Sequence, residues 1–384
     1  MSLPQTRRNI EPPGLPARRR RDRSSAPPEP RRPAANLADR ERRKQRLAIT
    51  IFVMLIMAIA AIVAVGYYRE FYQPPRVMAG EIRGVRFTMG DLVQRIRLLQ
   101  GINRYQGGFV DLSRVPFEIL QGLLNAEILR QASPGLGITV TEDDIQRALR
   151  AQFYPEALPG QETAPGQLDQ EFENRRRAFL TATGLSEAEY RVILEESLAQ
   201  AQLRAFLGAG IQDPQEQVEV EWINLEVGGN LPPVEVRKRL DTEEFAAVAE
   251  EVGSADGFAG PNGYVGWVPR QAFPSLDEVL FGDPAQSKEP LAVGAISDPV
   301  FTQQGTYIVR KVSGPEQQPL ADNIRSKLNT ELVLQWQNEQ LKRGSEEGWL
   351  KMNFDSDRYA WVADQARLPA PARPRTPTAR RQTN

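Results

Sequence analysis

The chain has 384 residues, 41% of them hydrophobic and 25% charged, which is the composition of a globular protein with room for two or three domains. It contains neither His nor Cys. That excludes Ser-His-Asp and Cys-His nucleophilic catalysis, haem ligation by either residue, the common zinc sites and disulfides, because each needs an imidazole or a thiolate. The net charge of -1 joins regions of opposite sign: residues 1–46 hold 14 Lys and Arg against 5 Asp and Glu, residues 365–384 hold 5 Arg and no acid, and residues 47–364 therefore carry 15 more acids than bases. No GxxxxGK[ST] phosphate loop is present. The chemistry left open needs only carboxylates, hydroxyls and apolar pockets, or no covalent step at all.

Residues 1–46 contain eight prolines, the run Arg18-Arg19-Arg20-Arg21 and almost no large apolar side chains. They read as a disordered basic arm, since too little surface can be buried to offset the ordering entropy. Such an arm can bind nucleic acid. Here the bases thicken at Arg40, Arg42, Arg43, Lys44 and Arg46, immediately before the charge-free stretch Leu47–Tyr68. Leu47 to Gly66 would span about 30 Å as a helix, the thickness of the hydrocarbon core, with Tyr67 and Tyr68 at the interface. The stretch exceeds the apolar region of a cleaved signal peptide, and no A-x-A site follows. An uncleaved, single-pass anchor over 47–68 is therefore expected, with the N-terminus cytoplasmic and the body extracytoplasmic. The arm then sets topology and attracts anionic lipid head groups. No nucleic acid is expected as a partner, because an acidic translocated body would be cut off from it.

Residues 79–210 read as helical. Thr88-Met89-Gly90-Asp91 opens one helix, Ser113 with Pro116 a second, Thr141-Glu142-Asp143-Asp144 a third and Ser186-Glu187-Ala188-Glu189 a fourth, each with N-terminal capping chemistry. Apolar residues recur at helical spacing, as in Phe117, Leu120, Leu124, Ile128 and in Tyr190, Ile193, Leu194, Leu198. Gly160–Gln170 reads as a loop. The run FEILQGLLNAEILRQASPGLGITVTEDDIQRAL, followed by GLSEAEYRVILEESL, resembles the helical chaperone domain of SurA-like and PrsA-like extracytoplasmic foldases over about 130 residues. A generic helical bundle is the competing reading.

Residues 215–313 change character. Val218, Val220 and Trp222 alternate with a second apolar set, Ile223, Leu225 and Val227, so the strand is buried on both faces. A helix, FAAVAEEVG, follows Asp241 and Glu244. GFAGPNGYVGWV reads as a tight loop entering a strand at Tyr264–Val268, since no GxGxxG accompanies its glycines. Phe273, Leu276 and Phe281 mark a short helix, and Thr306–Val312 a closing strand after a turn at Gln304-Gly305. Ser254-Ala255-Asp256, GYVGW at 263–267, Phe281, ISDPV at 296–300 and GTYIV at 305–309 resemble, in this order, the parvulin-type peptidyl-prolyl isomerase domain. In that family an apolar proline pocket lies beside a polar network with two histidines. By position the pocket's Met falls on Phe273 and its Phe on Leu276, the Asp/Cys position near Ser254 or Asp256, and the two histidines on Trp222 and Tyr307. Plain core packing is the competing reading for Phe273, Leu276 and Phe281.

Losing both imidazoles does not abolish the chemistry in principle. Rotation about a prolyl amide has a barrier of ~20 kcal/mol and breaks no bond, so binding the twisted amide better than either planar form is enough. The helix 317–343, with Leu320, Ile324, Leu328, Leu332 and Trp336 on one side, is expected to complete the helical domain, and 365–384 to be a disordered Pro/Arg tail.

The expected fold class is α+β: one N-terminal transmembrane helix, a helical chaperone domain, and a small parvulin-like domain with an antiparallel sheet. The two resemblances imply a membrane-anchored folding factor, both isomerase and chaperone, acting on unfolded or proline-containing polypeptides. Tyr307, Trp222, Asp256 and Ser254 would form the catalytic set, and Phe273, Leu276, Phe281 and Trp267 would bind substrate, with no cofactor or metal. The alternatives are a non-enzymatic holdase with a degenerate parvulin domain and an envelope scaffold protein.

Overall fold

The computed structural model describes residues 35–155, 166–229 and 231–367. Most of the basic arm, the first part of the Gly160–Gln170 loop and all but the start of the Pro/Arg tail lie outside them. The chain forms two units, 1–68 and 69–384. In the first, α1 (Ala35–Tyr67) is one continuous helix. Within Arg46–Tyr72 the chain is long and apolar enough to cross a membrane, with a mean hydropathy of 3.0. The helix starts well before the apolar run. Residues 35–46, read from sequence as part of the disordered arm, are helical, consistent with ANLADRERRKQR containing no Gly or Pro and many strong helix formers.

The second unit opens with a hairpin. β1 (Met78–Ile82) and β2 (Val85–Thr88) are joined through Arg83 and Gly84, both at positive φ, the backbone that a two-residue hairpin turn requires. Five helices follow: α2 (Met89–Tyr105), α3 (Val115–Leu136), α4 (Glu142–Phe153), α5 (Gln167–Thr183) and α6 (Glu187–Gly208). Thr88, Thr141 and Ser186 each form a reciprocal capping box, with Asp91, Asp144 and Glu189. At α3 the cap is Arg114 rather than Ser113, whose hydroxyl and N–H are engaged by Asp111. Leu98, Ile145, Leu149, Phe153, Phe179, Tyr190 and Leu194 form one core of this helical layer.

The chain then builds a four-stranded antiparallel sheet of order β4-β3-β6-β5, from β3 (Gln215–Leu225), β4 (Tyr264–Pro269), β5 (Val300–Phe301) and β6 (Thr306–Gln318). Helices α7 (Pro233–Arg239) and α8 (Phe245–Val252) pack with Ile223, Leu225 and Ile308. On the side of Trp222, Tyr307 and Val309 lies α9 (Pro274–Phe281), with Leu276 and Leu280.

The return path ties the unit together. α10 (Asp322–Glu346) places Ile324, and Leu320 just before it, in the core of Trp222 and Tyr307. Farther along, Trp336 packs against Leu129, Ile138 and Leu203, and Leu341 against the β1–α2–α3 core. Two further elements follow where the sequence offered only scattered aromatics. β7 (Leu350–Met352) pairs antiparallel with β1, and α11 (Ser356–Arg367) buries Val362 and Ala366 beside Leu92 and Leu120.

The crossing of α2 and α5 is close. A Cβ at Gly101 would overlap the Thr183 carbonyl, so the helices meet there only because residue 101 has no side chain. Gly101→Ala is expected to destabilise the protein by ~1–3 kcal/mol through overpacking, despite the better helix propensity of Ala. Chemical denaturation measures the loss, and an unchanged midpoint would contradict this packing.

Candidate functional site

The pairing of β3 with β6 assembles the site. Trp222 stands opposite Val309, Ile223 opposite Ile308 and Asn224 opposite Tyr307. With a side-chain period of two, Trp222, Asn224, Tyr307 and Val309 share one face, and Ile223, Leu225 and Ile308 take the other. The loop after α8 is pinned onto the first face. Asp256 Oδ1 accepts the backbone N–H groups of Phe258 and Ala259, both at 2.9 Å, and Oδ2 accepts the Trp222 indole N–H at 2.6 Å. The Ser254 N–H donates to Asn224 O at 2.8 Å and the Trp222 N–H to Gly263 O at 2.8 Å. Gly263 has φ +83, and a Cβ there would lie 2.9 Å from Trp222 O, so this turn needs glycine.

These bonds hold an aromatic box. The Trp222 and Phe273 centroids lie 4.9 Å apart, Trp222 and Tyr307 5.7 Å, and Phe258 and Phe273 4.9 Å, all edge to face, the arrangement that ring quadrupoles favour. Trp222 is 1% and Tyr307 6% exposed, while Phe258 and Phe273 are half-buried. The box is thus open along its two Phe edges. Lys327 of α10, paired with Glu331, places its ammonium 5.4 Å from the Phe273 ring centroid. The Tyr307 hydroxyl has no hydrogen-bond partner among the described residues. Burial, and secondarily the Asp256 carboxylate, push its pKa above the usual tyrosine range, so it stays a protonated donor at neutral pH.

The remaining expected residues divide. Ser254 lies beside Trp222 on the wall of a cavity of about 240 Å³, together with Asn224 and Gly260. Leu276 is 2% exposed and packs under the box as core. Phe281 sits at the far end of α9, half-buried under the Arg270 guanidinium at 4.7 Å. Trp267, opposite Glu219 on β4, projects to the other face of the sheet from Trp222 and packs over Gly314. The structure therefore gathers Trp222, Asp256, Ser254, Phe273 and Tyr307, backs them with Leu276, packs Phe281 against the same core from the far end of α9, and leaves Trp267 on the other face. Sequence reasoning missed Phe258, hidden in a glycine-rich loop with no periodicity, and Lys327, which arrives from a helix 54 residues beyond Phe273.

Helix α9, which carries Leu276, is fixed at both ends. The Asp277 carboxylate accepts the Gln271 N–H at 2.9 and 3.1 Å, and burial pushes its pKa up. At the other end buried Lys311 reaches Leu280 O at 3.4 Å, with its pKa pushed down by burial, a cation at a helix C-terminus.

In the helical layer a second concavity of about 400 Å³ runs between α3 and α6. Phe87, Leu123, Ile138, Val140 and Val192 line it, with Glu127 and Glu195 on its wall. Among the described residues no group of three or more Asp and Glu is placed to hold a metal ion.

Asp256 and Tyr307 are expected to separate in a stability assay. Asp256→Ala removes three hydrogen bonds and strands the Trp222 indole N–H, a loss of ~1–3 kcal/mol. Tyr307→Phe deletes a hydroxyl that bonds no described residue, and unfolding should shift by less than ~0.5 kcal/mol. Equal losses in denaturant titration would refute the assignment of one as scaffold and the other as free donor.

No protein-family model matches the chain. The chaperone SurA of Xanthomonas oryzae pv. oryzae is 30% identical over 114 residues, 28% of this chain and 23% of that protein. The foldase protein PrsA of Clostridium botulinum is 34% identical over 121 residues, 30% of this chain and 33% of that protein. The chain thus has SurA- and PrsA-type relatives, and its matches span a quarter to a third of their length. Among solved structures, a peptidylprolyl isomerase, PrsA, from Bacillus anthracis aligns with 61% of this chain and 99% of that one, at 16% identity and a TM-score of 0.36.

Proposed function

We propose that this chain is a membrane-anchored, extracytoplasmic folding factor whose aromatic box takes proline-containing segments of unfolded polypeptides and promotes their cis–trans isomerisation. The observation that carries this reading is the Tyr307 hydroxyl beside the box, a side-chain donor with no hydrogen-bond partner among the described residues. A prolyl ring seated against Phe273 and Phe258 leaves water, at a gain of about 25 cal/mol per Å² of apolar surface. Leaving water also weakens solvation of the planar, dipolar amide more than that of the twisted one. Tyr307 O–H then donates to the amide as it twists, and an interaction stronger in the twisted form than in either planar form lowers the barrier. No proton is transferred and no bond breaks, so imidazole has no obligatory part. Residues 47–68 would span the membrane with the arm inside, and the SurA and PrsA names of the relatives support placing the body in an exported setting. The apolar concavity between α3 and α6 would hold unfolded clients.

A second reading, peptide binding without turnover, is favoured by Lys327, which already covers the Phe273 ring that a proline must share. The two part in a turnover assay with a proline tetrapeptide. The full chain in detergent should accelerate isomerisation at a rate nearly flat between pH ~5 and ~8, because Tyr307 titrates above that window and no His or Cys titrates within it. Tyr307→Phe should lose ~0.5–1.5 kcal/mol of transition-state stabilisation, about two- to tenfold in rate, and Phe273→Ala more. Peptide binding with no acceleration at any pH would leave only the holdase.

Client holding has its own check. Val192, 48% exposed on the wall of the α3–α6 concavity, can carry a charge without disturbing the core. Val192→Asp should weaken suppression of client aggregation severalfold and leave tetrapeptide turnover unchanged. Unaltered suppression would remove this groove from the mechanism.

A further inference from the structure

A third concavity belongs to neither activity. Where the turn at Pro74–Arg76, helix α2, the end of α5 and helix α11 meet, a cleft of about 910 Å³ is lined by Arg97, Arg104 and Arg367 against a single carboxylate, Glu189. That carboxylate is committed to the α6 capping box and to Gln94 Nε2 at 2.9 Å. Arg97 donates through Nη2 to Gln365 O at 2.9 Å, while its buried Nε bonds nothing. Arg104 is exposed and its side chain has no ion-pair partner among the described residues. Among the described residues Arg367 pairs with Asp364, outside the wall and exposed, a surface pair that a stronger anion displaces. Three guanidiniums with spare donors on a concave wall fit a phosphate-type oxyanion.

The position of the cleft selects the source of that anion. Pro75, on its wall, follows Tyr72, the end of the apolar stretch, by three residues, at most about 11 Å of chain. The connecting segment carries Arg69, Glu70 and Arg76, and the chain leaves the other wall at Arg367 into a sequence with Arg373, Arg375, Arg380 and Arg381 and no acid. In a body with a large excess of acids, this wall holds three bases against one acid. Trp361, on the same wall, is of a residue type that settles at head-group level. We propose that this cleft binds the phosphodiester head group of an anionic phospholipid in the membrane the helix spans, and so sets the orientation of the body at the bilayer surface. The inference rests on the anchoring reading above.

The test uses the full chain in lipid nanodiscs of phosphatidylcholine, alone or with about one-third phosphatidylglycerol, read by hydrogen–deuterium exchange over 94–104 and 361–367. Phosphatidylglycerol should slow exchange in both segments, and high salt should remove the effect. Arg104→Gln, which alters no contact within the fold, should cut the slowing about fivefold, the weight of one basic residue at an anionic surface. Equal exchange in the two lipids overturns the inference while leaving anchoring intact. So does slowing that survives Arg104→Gln but vanishes when the chain is truncated after Arg367, which would assign it to the tail. Inorganic phosphate reproducing the slowing in phosphatidylcholine discs would make the cleft a site for free anions and overturn the lipid assignment. Release of the chain from the bilayer by alkaline carbonate would overturn the anchoring and this inference together.

Discussion

The register between β3 and β6 decides which side chains meet. Both strands are apolar on both faces, so hydrophobicity alone does not choose between the native pairing and a slip of one residue. Such a slip would carry Trp222 into the α7–α8 layer and Ile223 into the box. The choice is made by polar and steric contacts. Arg310 bonds Glu221 across the pair at 2.7 Å and stacks on Phe245 at 4.7 Å. Register shifts around Glu219 absorb the residual mismatch, and on the other edge of β3 Gly263 accepts the Trp222 N–H. The aromatic box is a consequence of that register.

Within the box, residues expected to act as one set take different structural parts. Both oxygens of Asp256 are engaged in holding the loop and Trp222. The one donor of the Trp222 side chain is spent on that same carboxylate. Asp256, Trp222 and the loop they hold thus form a closed set of hydrogen bonds, and the Tyr307 hydroxyl beside them has no partner among the described residues. Preorganisation of this kind costs nothing when a ligand arrives, because the loop is already ordered.

Much of the architecture was legible. Thr88, Thr141 and Ser186 announce their helices because a capping box is a local device, complete within four residues. The apolar run of α1 and the alternation along β3 are equally local. What escaped was non-local or aperiodic. Phe258 belongs to a loop whose conformation is imposed by Asp256, and no spacing rule points to it. Lys327 reaches the site through the return of α10. Trp267 and Phe281 carry the right residue types, but the face on which a side chain emerges depends on bulges and helix ends that a sequence does not display. β7 and α11 look like a decaying terminus, because three-residue strands and a single short helix give almost no periodic signal.

β1 has two partners, and they lie at opposite ends of the unit. β2 follows it within a few residues, whereas β7 pairs with Gly80 through Met352. The core beneath these strands takes Val362 and Ala366 from the last described helix. The helical layer, begun first, is thus the last to be sealed, and closing it requires contacts across some 270 residues, the kind that slow folding. While the chain is being synthesised, Leu92, Ile96 and Leu120 stay uncovered until the C-terminal segment emerges. The sheet of β3–β6, whose strands all lie within about 105 residues, can form in the interval. Topology thus lets the β3–β6 sheet be built while the apolar layer of the same unit is still open.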